Sequence, residues 1–206
     1  MTRCKSRHLS FTMKAPLISL LLFLALIQGS SAAEPKLAKA VFGAGCFWCV
    51  EVFFEQQPGV TQVVSGYAGG DQANPKYEQV SAGKTGHAEV VEVTYDPART
   101  SYEALLTFFW KTHDVTDPRG VSPDFGRQYR STILTQDDAL AAIAKKSKAE
   151  AQKNFRKPIA TEIASLRQFW PAEEYHQDYI KKNPRDKYVR EIAIPKLKKL
   201  GLKPPL

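Results

Sequence analysis

Nine residues, Gly43-Ala44-Gly45-Cys46-Phe47-Trp48-Cys49-Val50-Glu51, restrict this chain more than any other stretch. They follow an apolar run, Lys39-Ala40-Val41-Phe42, that reads as a buried strand. They open a second run whose apolar residues Phe47, Val50 and Phe54 share one face of a helix. The two glycines allow a tight turn between the two elements. Cys46 is therefore expected at the first turn of the helix, where unpaired backbone N–H groups and the positive end of the macrodipole favour an anion. A thiolate is such an anion, so the expectation is a Cys46 of depressed pKa that acts as nucleophile. Cys49 stands three residues on, one helical turn away and within reach of a disulfide. The pair reads as a redox centre.

The N-terminal segment bears on how many cysteines remain. Arg3, Lys5, Arg7 and Lys14 precede the apolar run Pro16 to Ile27, and small residues follow at Gly29-Ser30-Ser31-Ala32-Ala33. A basic start, a short apolar run and a small-residue site predict a secretory signal peptide over 1–33. The run is short for a membrane span, which needs about 20 residues. Export to the periplasm or the medium is the expectation, with 34–206 as one domain. Cys4 would be lost with the signal, leaving Cys46 and Cys49. A pair three apart closes too small a loop to stabilise much, so its use is chemical. Zinc is the other use of C-x-x-C, but it wants two further ligands at matched spacing. His87, His113 and His176 are scattered without such spacing, and no metal is expected.

Charge excludes a further class. The chain has 29 basic and 21 acidic side chains. Without the four basic residues of 1–33 the surplus falls to +4, and from Lys181 onward nine basic residues face only Asp186 and Glu191. The body of the domain, 34–180, is thus slightly acidic. No nucleic-acid partner is expected. The basic tail, from about 184, reads as a solvated terminal helix.

Further along, Val60 to Tyr67 reads as a strand, and a loop from Gly69 to Pro75 carries Tyr77. His87 to Tyr95 alternates as a strand does. Ser101 caps a helix with Leu105, Leu106, Phe109 and Trp110 on its apolar face. Tyr129 to Leu134 predicts a strand, Asp137 to Asn154 a helix, and Ile159 to Ala164 a last strand. Pro171 and the two glutamates after it predict a helix through Tyr175 and His176. Strands alternating with helices argue for a two-layer α/β domain.

Several blocks carry a resemblance. Gly45-Cys46-Phe47-Trp48-Cys49, Gly66-Tyr67-Ala68-Gly69-Gly70, Asn74-Pro75-Lys76-Tyr77 and Gly86-His87-Ala88-Glu89 are four of them. Tyr95-Asp96-Pro97, Phe109 to Asp114, Gln128-Tyr129-Arg130-Ser131 and Glu174-Tyr175-His176-Gln177 are the others. In this order, from about Lys39 to Asn183, they resemble the peptide methionine sulfoxide reductase A family. The resemblance implies a two-layer α/β fold with a ferredoxin-like core and mixed sheet, and reduction of methionine S-sulfoxide, free or in oxidised proteins. It implies no bound cofactor, a thioredoxin-like reductant as partner, and a monomer. Many relatives have Gly where Cys49 stands and place their resolving Cys in the tail. Here the tail has none, so resolution falls to Cys49 or to an outside thiol.

The roles follow from the same resemblance. Cys46 attacks sulfur, and Glu89 protonates the sulfoxide oxygen with help from Tyr77 and Tyr129. Asp124 is an auxiliary acidic group, and Phe47 and Trp48 hold the S-methyl group. Cys46 becomes a sulfenic acid, which Cys49 condenses to a disulfide. Each residue also has a plainer role open to it. Phe47 and Trp48 would suit an ordinary core, Glu89 a solvated strand face, and Asp124 a turn after Pro123. His87 and His176 read as residues that orient backbone. A general thiol–disulfide oxidoreductase, or an exported binding protein with a small structural clip, are the alternative functions.

Overall fold

The computed structural model describes residues 36–205, together with Met1 and Thr2. Apart from those two residues, the expected signal peptide, Cys4 included, lies outside the described residues. Strand β1 (Ala38–Ala44) runs into helix α1 (Phe47–Glu55), followed by β2 (Val60–Ala68), α2 (Tyr77–Ser81), β3 (Ala88–Tyr95) and α3 (Tyr102–Thr112). A small hairpin, β4 (Gly120–Val121) and β5 (Asp124–Phe125), leads through a turn at Arg127–Tyr129 to β6 (Ser131–Thr135) and α4 (Asp138–Gln152). Then come β7 (Glu162–Ser165), β8 (Phe169–Pro171) and α5 (Tyr179–Lys182). A π-helical turn at Val189–Ala193 continues into α6 (Ile194–Lys199).

Six strands form one mixed sheet in the order β7-β6-β1-β3-β2-β8. Only β6 and β7 run parallel; the other four pairings are antiparallel. The fold is mixed α/β. Alternation sorts β1 and β3 between two faces. Phe42, Val91 and Val93 enter the main core beside Phe54 and Phe109, while Val41 and Val90 pack on the other side with Leu134. The Phe42 ring stacks on Phe54 with centroids 4.7 Å apart and lies 5.4 Å from Phe109. Burying each such ring contributes about 1.5–3 kcal/mol, so the strand carrying the nucleophile is anchored from its middle. Ser101 caps α3 by accepting the Ala104 N–H at 3.1 Å, and Asp137 caps α4 by accepting that of Leu140 at 2.8 Å.

Three readings of the sequence are corrected. Residues Phe169–Pro171 are an edge strand paired with Gly66–Ala68, not the start of a helix, and only a short turn occupies Glu174–His176. The last predicted strand lies slightly later, at Glu162–Ser165, where it pairs with β6. The tail is not a solvated helix. Val189, Ala193 and Leu197 are fully buried, and they close over Cys49, Val52 and Phe53 on the outer face of α1. Helix α1 is therefore enclosed between the sheet and the tail. Glu51 is buried in this layer, accepts the Asp178 N–H at 3.1 Å and is pushed up to about 8, chiefly by burial.

Candidate active site

Gly45 has φ of 88°, a left-handed conformation that glycine adopts without strain. It also packs closely, since a Cβ added there would lie 2.8 Å from Val121 Cβ. The chain thus turns out of β1 and delivers Cys46 to the N-cap of α1, where its carbonyl accepts the Cys49 N–H at 3.1 Å. Glu89 comes from β3. It shares the helix-facing side of that strand with Val91 and Val93, and it is 2 % exposed rather than solvated. Its Oε2 accepts the Phe47 N–H at 3.0 Å.

That contact changes the electrostatics expected of the helix terminus. The first-turn amide that would have stabilised a thiolate is taken by a carboxyl group. Burial, the hydrogen bond with Cys49 and the neighbouring Glu89 push the Cys46 thiol well above its ordinary value. The expected depression of Cys46 is overturned. Cys49 is lowered instead, first by its hydrogen bond with Cys46, then by Lys196 and Tyr188 against the opposing effect of burial. Glu89 is pushed up to about 8, mainly by burial and further by Asp124 and Cys49. A carboxyl group so placed holds its proton at neutral pH.

Around these groups closes a cavity of about 160 Å³, lined by Cys46, Phe47, Trp48, Tyr77, Glu89, Asp124, Tyr129 and Tyr188. Larger clefts of about 510 and 570 Å³ lie between α3 and α4 and beside Lys196, but neither is lined by a cysteine. Every site residue expected from the sequence borders the small cavity except Cys49, which lies behind Cys46. Burial holds Tyr77 up at about 12 and also raises Tyr129, so both phenols keep their protons to donate. Phe47 is buried, and Trp48 is stacked on Tyr179 with centroids 3.7 Å apart. The Trp48 Nε1–H donates to His176 Nδ1 at 3.0 Å, and burial lowers the His176 pKa, which favours a neutral ring. His176 therefore positions the indole. His87 is a backbone clip, accepting the Gly70 N–H and lying 2.7 Å from the Gln72 carbonyl.

A family model described as peptide methionine sulfoxide reductase matches residues 38–203. The chain belongs to the peptide methionine sulfoxide reductase family. The MsrA of Haloquadratum walsbyi is 49 % identical over 161 residues, covering 78 % of this chain and 92 % of that protein. Reduced Mxr1 of Saccharomyces cerevisiae superposes with a TM-score of 0.70 at 34 % identity, over 73 % of this chain and 87 % of Mxr1. Mxr1 in complex with Trx2 matches with a TM-score of 0.51 at 26 % identity, over 69 % of this chain and 84 % of that one.

In this member of the peptide methionine sulfoxide reductase family, two site residues went unseen in the sequence. The Tyr188 hydroxyl donates to Asp124 Oδ2 at 2.7 Å and lies 4.0 Å from Cys49 Sγ. Lys196 Nζ lies 3.8 Å from the same Asp124 oxygen. Both belong to the tail. The buried spacing Val189, Ala193, Leu197 was the one signal that could have brought that segment back onto the domain.

Proposed function

We propose that this thiol-dependent methionine sulfoxide reductase works through a protonated carboxyl group and a cysteine sharing one cavity. The observation that carries this is Glu89, buried beside Cys46 and pushed up to about 8. Sulfoxide oxygen cannot leave as bare oxide, so it must be protonated as sulfur is attacked. Glu89 supplies that proton, and Tyr77 and Tyr129 donate hydrogen bonds to the same oxygen. Cys46 gives up its thiol proton, which restores Glu89, as its sulfur bonds to the sulfoxide sulfur. The oxygen then passes to Cys46 as the S–O and S–S bonds to the methionine sulfur break, giving a Cys46 sulfenic acid and reduced methionine. Phe47 and Trp48 hold the S-methyl group. Asp124 tunes the pocket through Tyr188 and Lys196, both of which contact it.

Cys49 condenses with the sulfenic acid, releasing water and forming a disulfide that a thioredoxin-like donor reduces. The substrates include proteins oxidised at methionine, so the role is repair after oxidative damage. The cavity presents a thiol, a carboxyl group and aromatic rings to the substrate, and by the family resemblance the S epimer is its substrate. Steady-state turnover on the two separated epimers of a methionine sulfoxide peptide tests this. The S epimer should turn over and the R epimer should be inert. Disulfide reduction without sulfoxide reduction would overturn the reading in favour of a general oxidoreductase.

Two structural readings accompany it. The strand order β6-β1-β3-β2, with α1 after β1 and α3 after β3, supports a two-layer ferredoxin-like core extended by β7 and β8. Residues 1–33 are an export signal, and the reductase acts outside the exporting membrane. The intact mass of protein recovered from an exporting host should correspond to a chain starting near Ala33 or Glu34. A full-length species held on the membrane would identify an anchor instead.

A further inference from the structure

We propose that the reductant attacks the sulfur of Cys46, and that the tail, through Lys196 and Tyr188, prepares Cys49 to be the leaving thiolate. The proposal rests on the reading that a Cys46–Cys49 disulfide closes the catalytic cycle. A disulfide offers two sulfurs. The one attacked must be reachable, and the one expelled should be the better-stabilised thiolate.

Reach separates the two. Cys46 borders the cavity, whereas Cys49 does not. Cys49 is 2 % exposed and sits among Val52, Phe53, Ile180, Val189, Ala193 and Leu197. An external thiol aimed at Cys49 would have to lift the tail and bring three fully buried apolar side chains into water. One aimed at Cys46, itself 7 % exposed, has the cavity that this residue lines as its approach.

Charge separates them in the same sense. Tyr188 Oη stands 4.0 Å from Cys49 Sγ, where it accepts from the thiol, and burial keeps the phenol protonated; its hydrogen, given to Asp124 in the reduced protein, serves a Cys49 thiolate when the hydroxyl turns toward it. Lys196 is the cation of this corner and lowers Cys49, while Asp124 opposes it. Cys46, raised chiefly by burial, also faces Glu89 and Asp124 across the cavity. The Cys46 thiol that does most to lower Cys49 in the reduced pair is gone once Cys46 is bonded to the donor, so Lys196 and the Tyr188 hydroxyl are what remain to hold a Cys49 thiolate.

The step balances. The donor thiolate bonds to Cys46 Sγ, the Cys46–Cys49 bond breaks, and Cys49 departs as thiolate and later takes a proton from solvent. The donor's second thiol then attacks its own sulfur in the mixed disulfide and frees Cys46. Two electrons pass from donor to reductase, and the donor leaves as a disulfide.

The test uses the full chain, oxidised with one equivalent of methionine sulfoxide peptide. Loss of two hydrogens by mass and a linked Cys46–Cys49 peptide should appear first. Their absence would overturn the disulfide reading and the proposal with it. The oxidised protein is then mixed with a thioredoxin whose second cysteine is replaced by serine, quenched in acid and mapped. The donor should be found on Cys46, with Cys49 free to be alkylated; a donor on Cys49 would overturn the proposal alone. Lys196→Met should slow formation of this mixed disulfide several-fold, and Lys196→Arg should restore it. An unchanged rate in Lys196→Met would remove Lys196 from the step.

Discussion

Glu89→Gln should slow methionine release in a single turnover by about 10²–10⁴-fold, the usual loss when a general acid is removed. The amide keeps the shape of the side chain and can still donate a hydrogen bond to the sulfoxide oxygen. It has no proton to give up. Substrate affinity should therefore change little, and the loss should fall on kcat. The pH profile supplies an independent check. Glu89 is pushed up to about 8 and Cys46 well above its ordinary value, so loss of the acid form offsets the gain in Cys46 thiolate and the first step should stop rising with pH near about 8. In Glu89→Gln this levelling should vanish along with most of the rate. Alkylation of Cys46 by a small reagent should remain comparable, since the thiol keeps its burial. Release within a few-fold of wild type, with the levelling intact, would hand the proton to Asp124 or to the two tyrosines.

Gly45→Ala should damage both the fold and the chemistry, although residue 45 meets no substrate. The left-handed backbone at φ 88° costs a residue bearing a Cβ about 1–2 kcal/mol. Overlap with Val121, whose Cβ would be 2.8 Å away, adds roughly 1–3 kcal/mol of overpacking. Domains of this size lose about 2–4 °C in Tm per kcal/mol, so calorimetry should find a drop of roughly 5–15 °C. Relief of the overlap moves either the Val121 hairpin or Cys46. A displacement of about 1 Å at the reacting atom costs about 10²-fold in rate, which single-turnover release would register. A variant with wild-type Tm and wild-type release would show that the turn before Cys46 is far softer than its geometry indicates.

What the sequence disclosed depended on how local the cause was. The β1–α1 turn, the alternation of β3 and the cap at Ser101 are set by neighbours in the chain, and they appear where the pattern puts them. The edge strand Phe169–Pro171 is set by Gly66, whose missing side chain admits Phe169 and Trp170 from over a hundred residues away. No window around Pro171 contains that information. The site divides in the same way. The position of Cys46 was readable from its turn, but its electrostatics were not, because the amide that decides them is claimed by Glu89 from another strand. Tyr188 and Lys196 were missed because a lysine-rich tail looks solvated until its buried stripe is matched to the outer face of α1.

The enclosure of α1 between sheet and tail divides the pocket into a foundation and a partition. Cys46 and Glu89 stand on the foundation, tied to central strands and to each other through the first amide of the helix. Asp124, Tyr129 and Tyr188 belong to the partition, carried by a two-residue strand, a single turn and the tail. Changes to the partition can redraw what surrounds a sulfoxide without unseating the atoms that reduce it. Altered substrate preference in this scaffold is therefore to be sought at residues 120–129 and 186–196 other than Asp124, Tyr129, Tyr188 and Lys196, and altered chemistry at those four, at Glu89 and at the turn out of β1.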